Sequence, residues 1–120
     1  MKKLNYFSAS YFMAGKFKGI RSEIKGLAQK RNFAGVVQAL VNHLKTLQAQ
    51  GDLKKVINYI TYLGKVYSKS NAYVQYMIEN LFIRSLDSIG RCGSSLSWHS
   101  IYKQMPQSFV LIYQRQLAKN

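Results

Sequence analysis

The tightest constraint on this protein lies between Asn32 and Gln50. There Phe33, Val36, Val37, Leu40, Val41, Leu44 and Leu47 recur at i, i+3, i+4, i+7, i+8, i+11 and i+14, the spacing of one face of an α-helix. A strand would send these residues to both of its faces, because its side chains alternate at every second position. Asn32 offers a side-chain oxygen to cap the helix start, and Gly51 can adopt the left-handed conformation that closes its end. A helix with so broad an apolar face is stable only when other elements cover it.

The following segments supply that cover. Asp52 stands where an N-cap belongs, and a second helix runs to about Ser68 with Leu53, Val56, Ile57, Ile60, Leu63 and Tyr67 as its main stripe. Tyr59, Tyr62 and Val66 form another stripe, and Lys54, Asn58, Thr61 and Lys65 collapse onto one narrow polar line. This helix is expected at the centre of the bundle, with its lysine line at the surface. A third helix, roughly 72–89, is capped by Ser70 or Asn71 and turns Val74, Met77, Ile78, Leu81, Phe82, Leu86 and Ile89 inward. Gly90, Gly93, Ser94 and Ser95 then read as a loop. Trp98, Ile101, Tyr102 and Met105 imply a short helix capped by Ser97. Pro106 cannot continue it but fits the first turn of a last helix, which would bury Phe109, Ile112, Tyr113 and Leu117.

Residues 1–31 are patterned more weakly. Ile20 to Lys30 has helical spacing weakened by Gly26, and residues 4–13 are compatible with a strand or a short helix, of which the helix is expected. The whole therefore reads as one all-α domain over 1–120: a compact bundle of about five helices with short connections, made of a helical core over 32–120 and a basic N-terminal segment.

Charge narrows the function. Eighteen Lys and Arg face four acids, Glu23, Asp52, Glu79 and Asp87, for a formal net charge of +14. Half of that excess lies in residues 1–31, which hold eight bases and one acid. Such a protein steers toward polyanions or an acidic protein surface. Four acids are too few for the paired carboxylates of most acid–base catalysis or for a hard-metal site. Glu79 and Asp87 are expected to balance Lys and Arg on neighbouring helices, and Asp87 stands four residues before Arg91 in the favoured order.

His43, His99 and Cys92 are the soft ligands and lack zinc-site spacing. His43 is expected to be a partly buried, hydrogen-bonded helix residue. Cys92 reads as a small loop residue beside Arg91. The glycines form neither a phosphate-binding loop nor a dinucleotide fingerprint, and Ser94 and Ser95 lack a nucleophile-elbow context. No cofactor, metal or catalytic residue is expected. No apolar run is long enough to span a bilayer, and Leu4 to Gly15 is too polar for an export core. A cytoplasmic location without integral membrane association is the expectation.

What remains is basic and aromatic surface. Lys16, Lys18, Arg21, Lys25, Lys30 and Arg31 form a basic run interleaved with Phe17 and Phe33, residue types that serve phosphate pairing and base stacking. Arg84, Arg91 and Trp98 are grouped around the glycine loop. Arg, Tyr and Trp are also the usual anchors of protein interfaces. These nine residues, Lys16 to Arg31 and Arg84 to Trp98, are the candidate partner-binding positions, and nucleic acid is the alternative ligand.

Three stretches carry a resemblance: the hairpin around Leu47-Gln-Ala-Gln-Gly-Asp52, the helix Ala72-Tyr-Val-Gln-Tyr-Met-Ile-Glu-Asn-Leu-Phe-Ile-Arg-Ser-Leu86, and the ending Met105-Pro-Gln-Ser-Phe-Val-Leu-Ile-Tyr113. In these the sequence resembles a family of small all-helical bacterial proteins of unknown or immunity function, encoded beside toxins of interbacterial competition. The resemblance implies a stoichiometric inhibitor that binds one cognate toxin, blocking its active site or holding an inactive form. Inhibitors of nucleases are usually acidic mimics of nucleic acid. The basic character of this protein departs from that pattern and suits a toxin with an acidic face.

Overall fold

In the computed structural model, which describes residues 2–119, these residues are all helical in class, with seven helices and no strand. The helices are α1 (Tyr6–Lys16), α2 (Arg21–Gln29), α3 (Phe33–Ala49), α4 (Leu53–Ser68), α5 (residues 72–91), α6 (Ser95–Lys103) and α7 (Gln107–Ala118). A single 3-10 turn, Lys18–Ile20, joins α1 to α2. The expected count of about five is corrected upward because residues 4–29 form two helices. Their local apolar signal is weak: α1 buries Ala9, Ser10, Met13 and Ala14, and α2 buries Ile24 and Ala28. Small side chains leave little periodicity to read, yet they let helix backbones approach closely. Asn5 starts α1 with a reciprocal cap, its side chain accepting from the Ser8 amide while the Ser8 hydroxyl accepts from the Asn5 amide.

The central helices match their patterns. All seven residues of the α3 stripe are buried, and the Asn32 and Asp52 side chains cap α3 and α4 by accepting the Gly35 and Lys55 amides. On α4 the line Lys54, Asn58, Thr61 and Lys65 is exposed, while Val56, Tyr59, Ile60, Leu63 and Val66 are buried. Helices α1, α3 and α6 all pack on α4. One continuous apolar core takes residues from every helix.

Two successive turns share one design. At the end of α2 the Asn32 amide donates to the Leu27 carbonyl and the Arg31 amide to Ala28; at the end of α3 Asp52 donates to Leu47 and Gly51 to Gln48. Each is a Schellman closure whose last residue is also the N-cap of the next helix. Arg31 and Gly51 occupy the left-handed position with φ of 58° and 76°. After α4 the same task falls to the N-terminal segment: Leu4 donates to the Lys69 carbonyl at 2.8 Å and accepts from the Asn71 amide at 2.7 Å. Asn71, rather than Ser70, then caps α5.

Helix α5 changes pitch in its middle. It runs as α over Ala72–Met77, as π over Ile78–Phe82, as 3-10 over Ile83–Ser85 and as α again over Leu86–Arg91. The π turn rotates the later residues and brings Ile83 into the core beside Ile78 and Phe82. It also loosens the carbonyl ladder; the Glu79 carbonyl accepts from Gln116 of α7 at 2.8 Å.

The C-terminal boundaries differ from the pattern in four places. Gly90 belongs to α5 rather than to a loop, and it is buried because Trp98 lies on it: a Cβ there would stand 2.8 Å from the indole ring. Ser94, not Ser97, caps α6, its hydroxyl accepting the Ser97 amide. Pro106 is the cap residue of α7 and stands one position before the helix. Leu117 is half exposed, since the last turn of α7 runs beyond the core.

Candidate binding face on the N-terminal helices

The cations predicted to form a site do not all converge. Lys16, Arg21 and Lys25 share one groove of about 410 Å³ with Tyr11, Phe12 and Tyr62, formed where the end of α1 meets α2 and α4. Lys18, Lys30 and Arg31 are exposed but do not line this groove. Arg91 and Trp98 line a separate hollow of about 380 Å³ together with Asp87. Arg84 stands apart on α5, donating to Asn80.

Within the groove each cation has a distinct tie. Arg21 donates through Nε to the Ala14 carbonyl at 3.0 Å and through Nη2 to the Gly15 carbonyl at 3.2 Å. These oxygens end α1, where the helix dipole is negative, so the Arg21 guanidinium closes the helix terminus as well as supplying a cation. Lys16 Nζ lies 5.6 Å from the Tyr62 ring centroid, a cation–π contact that orients the ammonium without neutralising it. Burial pushes the Tyr62 hydroxyl above its ordinary pKa, and that hydroxyl donates to the Phe12 carbonyl at 3.3 Å. Lys25 is exposed on α2.

The aromatic partners differ from those expected. Phe17 and Phe33, interleaved with the basic run, are both buried in the core. Phe17 packs against Tyr59 and Tyr62 with ring centroids 4.7 and 5.9 Å away and so fastens the α1–α2 junction to α4. Near this groove the exposed aromatics are instead Phe7, Tyr11 and Phe12 on α1; Tyr73 and Tyr76 on α5 are exposed as well, away from it. The exposure of the first three depends on the phase of α1, and Asn5-x-x-Ser8 was the sequence signal that could have set it.

Glu79 and Asp87 do not pair with the cations. Tyr67 donates to Glu79 Oε2 at 2.6 Å, and Tyr113 donates to Asp87 Oδ1. Burial, followed by the bonded carboxylate, pushes both phenols up to about 12. Asp87 therefore does not pair with Arg91, which donates to Ser88 instead. Among the described residues the ion pair that forms is Lys55–Asp52 at 4.0 Å, on the surface. The expectation that Glu79 and Asp87 neutralise neighbouring bases is corrected: tyrosine hydroxyls reach them first, from positions fixed by core packing.

The remaining candidates are structural in their surroundings. Trp98 is half-buried over Gly90 and packs with Tyr102 and Tyr113 at centroid distances of 6.1 Å each. His43 is partly buried as expected, but the expected hydrogen bond is corrected: among the described residues none forms to its ring, which stacks on Tyr59 instead. Burial, then the nearby Lys55 charge, lowers its pKa. Cys92 is exposed and its thiol lies 3.4 Å from the Ser88 carbonyl. Among the described residues no group of three or more His, Cys, Asp or Glu is placed to hold a metal ion, and no helix is long and apolar enough to cross a membrane.

A family model described as a domain of unknown function, DUF7674, matches residues 12–119. No curated protein and no solved structure matches the sequence.

Proposed function

The protein belongs to the DUF7674 family, and we propose that it is a non-enzymatic binding module whose N-terminal helical face docks an acidic protein. One observation carries this reading: eighteen cations face four acids, and among the described residues the one ion pair that forms is Lys55–Asp52. The long-range field is thus left for a partner to neutralise. Complementary charge of this kind sets approach rate and register, while apolar anchors supply much of the affinity. In keeping with the resemblance of its hairpin, α5 and C-terminal stretch to small helical proteins of unknown or immunity function, the partner in this reading is a bacterial toxin with an acidic face, inhibited one to one.

The test is co-purification with the product of each gene adjacent to its own, at rising salt, using wild type and a Lys16→Gln/Lys18→Gln/Lys25→Gln variant. Arg21 is kept because it caps α1. A one-to-one complex that survives physiological salt and is weakened at least tenfold in the variant is expected. Tight binding to random-sequence DNA or RNA, falling steeply with salt whatever the sequence, would place nucleic acid first instead.

A further inference from the structure

Helix α1 is flanked by two small apolar hollows that meet the basic groove. The first, about 200 Å³ between α1 and α2, is lined by Phe7, Tyr11, Ala14 and Ala28. The second, also about 200 Å³, lies between α1 and α4 and is lined by Leu4, Phe12, Tyr62 and Val66. Tyr11, Ala14 and Lys25 belong to both the first hollow and the basic groove, and Phe12 and Tyr62 to both the second and the groove. The three form one concave surface wrapped around the helix. Lys65 and Lys69 border the second hollow, and among the described residues no acid lines any of the three.

The aromatics on this surface stand out from it. Phe7 is 57% exposed, Tyr11 70% and Phe12 45%, although the core beneath them already takes Met13 and Phe17. Large apolar side chains grouped around cations mark a surface that meets another molecule. We infer that this surface receives an acidic amphipathic segment of the partner protein, whose apolar side chains fill the two hollows while its carboxylates meet Lys16, Lys25 and the free edge of Arg21. The inference rests on the acidic-partner reading above and adds the chemistry of the contacting element.

Shape and charge choose this occupant. A polyphosphate strand would satisfy the cations and leave two carbon-lined hollows without matching groups. A bilayer surface would take up the protruding rings and has no use for separate concavities beneath them. A peptide carrying carboxylates between apolar side chains fits both, and short apolar anchors set in pockets are a recurrent mode of segment recognition.

Two synthetic peptides of equal length and charge discriminate. One alternates Glu with Leu and Trp; the other replaces every Leu and Trp by Gly. Fluorescence anisotropy at physiological salt is expected to give at least tenfold tighter binding of the first. A Phe7→Ala/Tyr11→Ala variant with unchanged circular dichroism should abolish the difference, whereas Lys16→Gln/Lys25→Gln should weaken both peptides. Equal binding of the two peptides overturns the amphipathic inference and leaves the acidic-partner reading standing. Binding of neither peptide, with capture of a random 20-mer oligonucleotide or of phosphatidylglycerol vesicles, overturns both.

Discussion

The N-terminal face formed by α1 and α2 and the C-terminal face formed by α5, α6 and α7 draw on similar residue types and use them oppositely. At the C-terminal face Tyr67, reaching across from α4, and Tyr113 donate to carboxylates, Trp98 lies on Gly90, and Trp98, Tyr102 and Tyr113 pack ring against ring, while Tyr73 and Tyr76 at the start of α5 remain exposed. At the N-terminal face Lys16 meets a neutral ring and Arg21 meets carbonyl oxygens, so their charges persist, while Phe7, Tyr11 and Phe12 face outward. A polar or aromatic residue becomes structural when the fold sets a complementary group within reach. It stays available when the fold offers only neutral or small neighbours. Availability is thus a property of the neighbourhood and not of the residue type.

Removing the anchor of the N-terminal face gives the largest effect. Phe17→Ala empties a fully buried aromatic site between α1 and α4 and is expected to cost about 3–5 kcal/mol in urea denaturation. Because one continuous core joins the faces, circular dichroism and the fluorescence of Trp98, the single tryptophan, should report the same midpoint. A tryptophan transition well separated from the helical one would split the faces into independent units.

A middle-sized effect tests the tyrosine–carboxylate pairs. Tyr67→Phe or Tyr113→Phe is expected to lose about 1.5–3 kcal/mol at neutral pH, the range for a hydrogen bond to a charged group. Both phenols titrate near 12 in the fold against 10.0 ordinarily. The unfolded protein therefore loses these protons first, and the stabilisation, whole below pH 10, declines as pH rises toward 12. Chemical denaturation from pH 8 to 11.5 should show a shallower alkaline decline in the double variant. Parallel curves for variant and wild type would remove the carboxylate pairs from the comparison.

The smallest effect compares the two Schellman turns. Arg31 holds φ of 58° where Gly51 serves at the equivalent place, a conformation that strains a residue with a Cβ. Arg31→Gly is expected to add about 0.5–1 kcal/mol, and Gly51→Ala to remove about 1 kcal/mol, both read as shifts in thermal midpoint. If Arg31→Gly stabilises the fold while weakening partner binding, the strained cation serves the N-terminal face. Stabilisation with unchanged affinity would confine the face to the groove itself.

Much of the architecture was legible in the sequence because it rests on local rules. Helices α3 and α4 follow from the spacing of large apolar residues, and their ends from Asn32, Gly51 and Asp52, since capping depends on atoms within four or five positions. Helices α1 and α2 were harder to read because Ala9, Ala14 and Ala28 bury little area and mark no clear face. The π turn in α5 was not legible, because its phase shift is stabilised from outside the helix, by Gln116 on the Glu79 carbonyl and by the packing of Ile83.

The candidate site divides along the same line. The excess of positive charge, and its concentration before Asn32, follow from composition and were set by the sequence alone. Which cations share a groove, that Phe17 and Phe33 are core while Phe7, Tyr11 and Phe12 are surface, and that tyrosines rather than bases hold Glu79 and Asp87 were decided by tertiary structure. Those outcomes depend on contacts between residues far apart in sequence, such as Tyr62 with Phe12 and Tyr113 with Asp87. Local spacing carries helix phase within one segment, whereas the distances that select a binding partner arise only when segments pack.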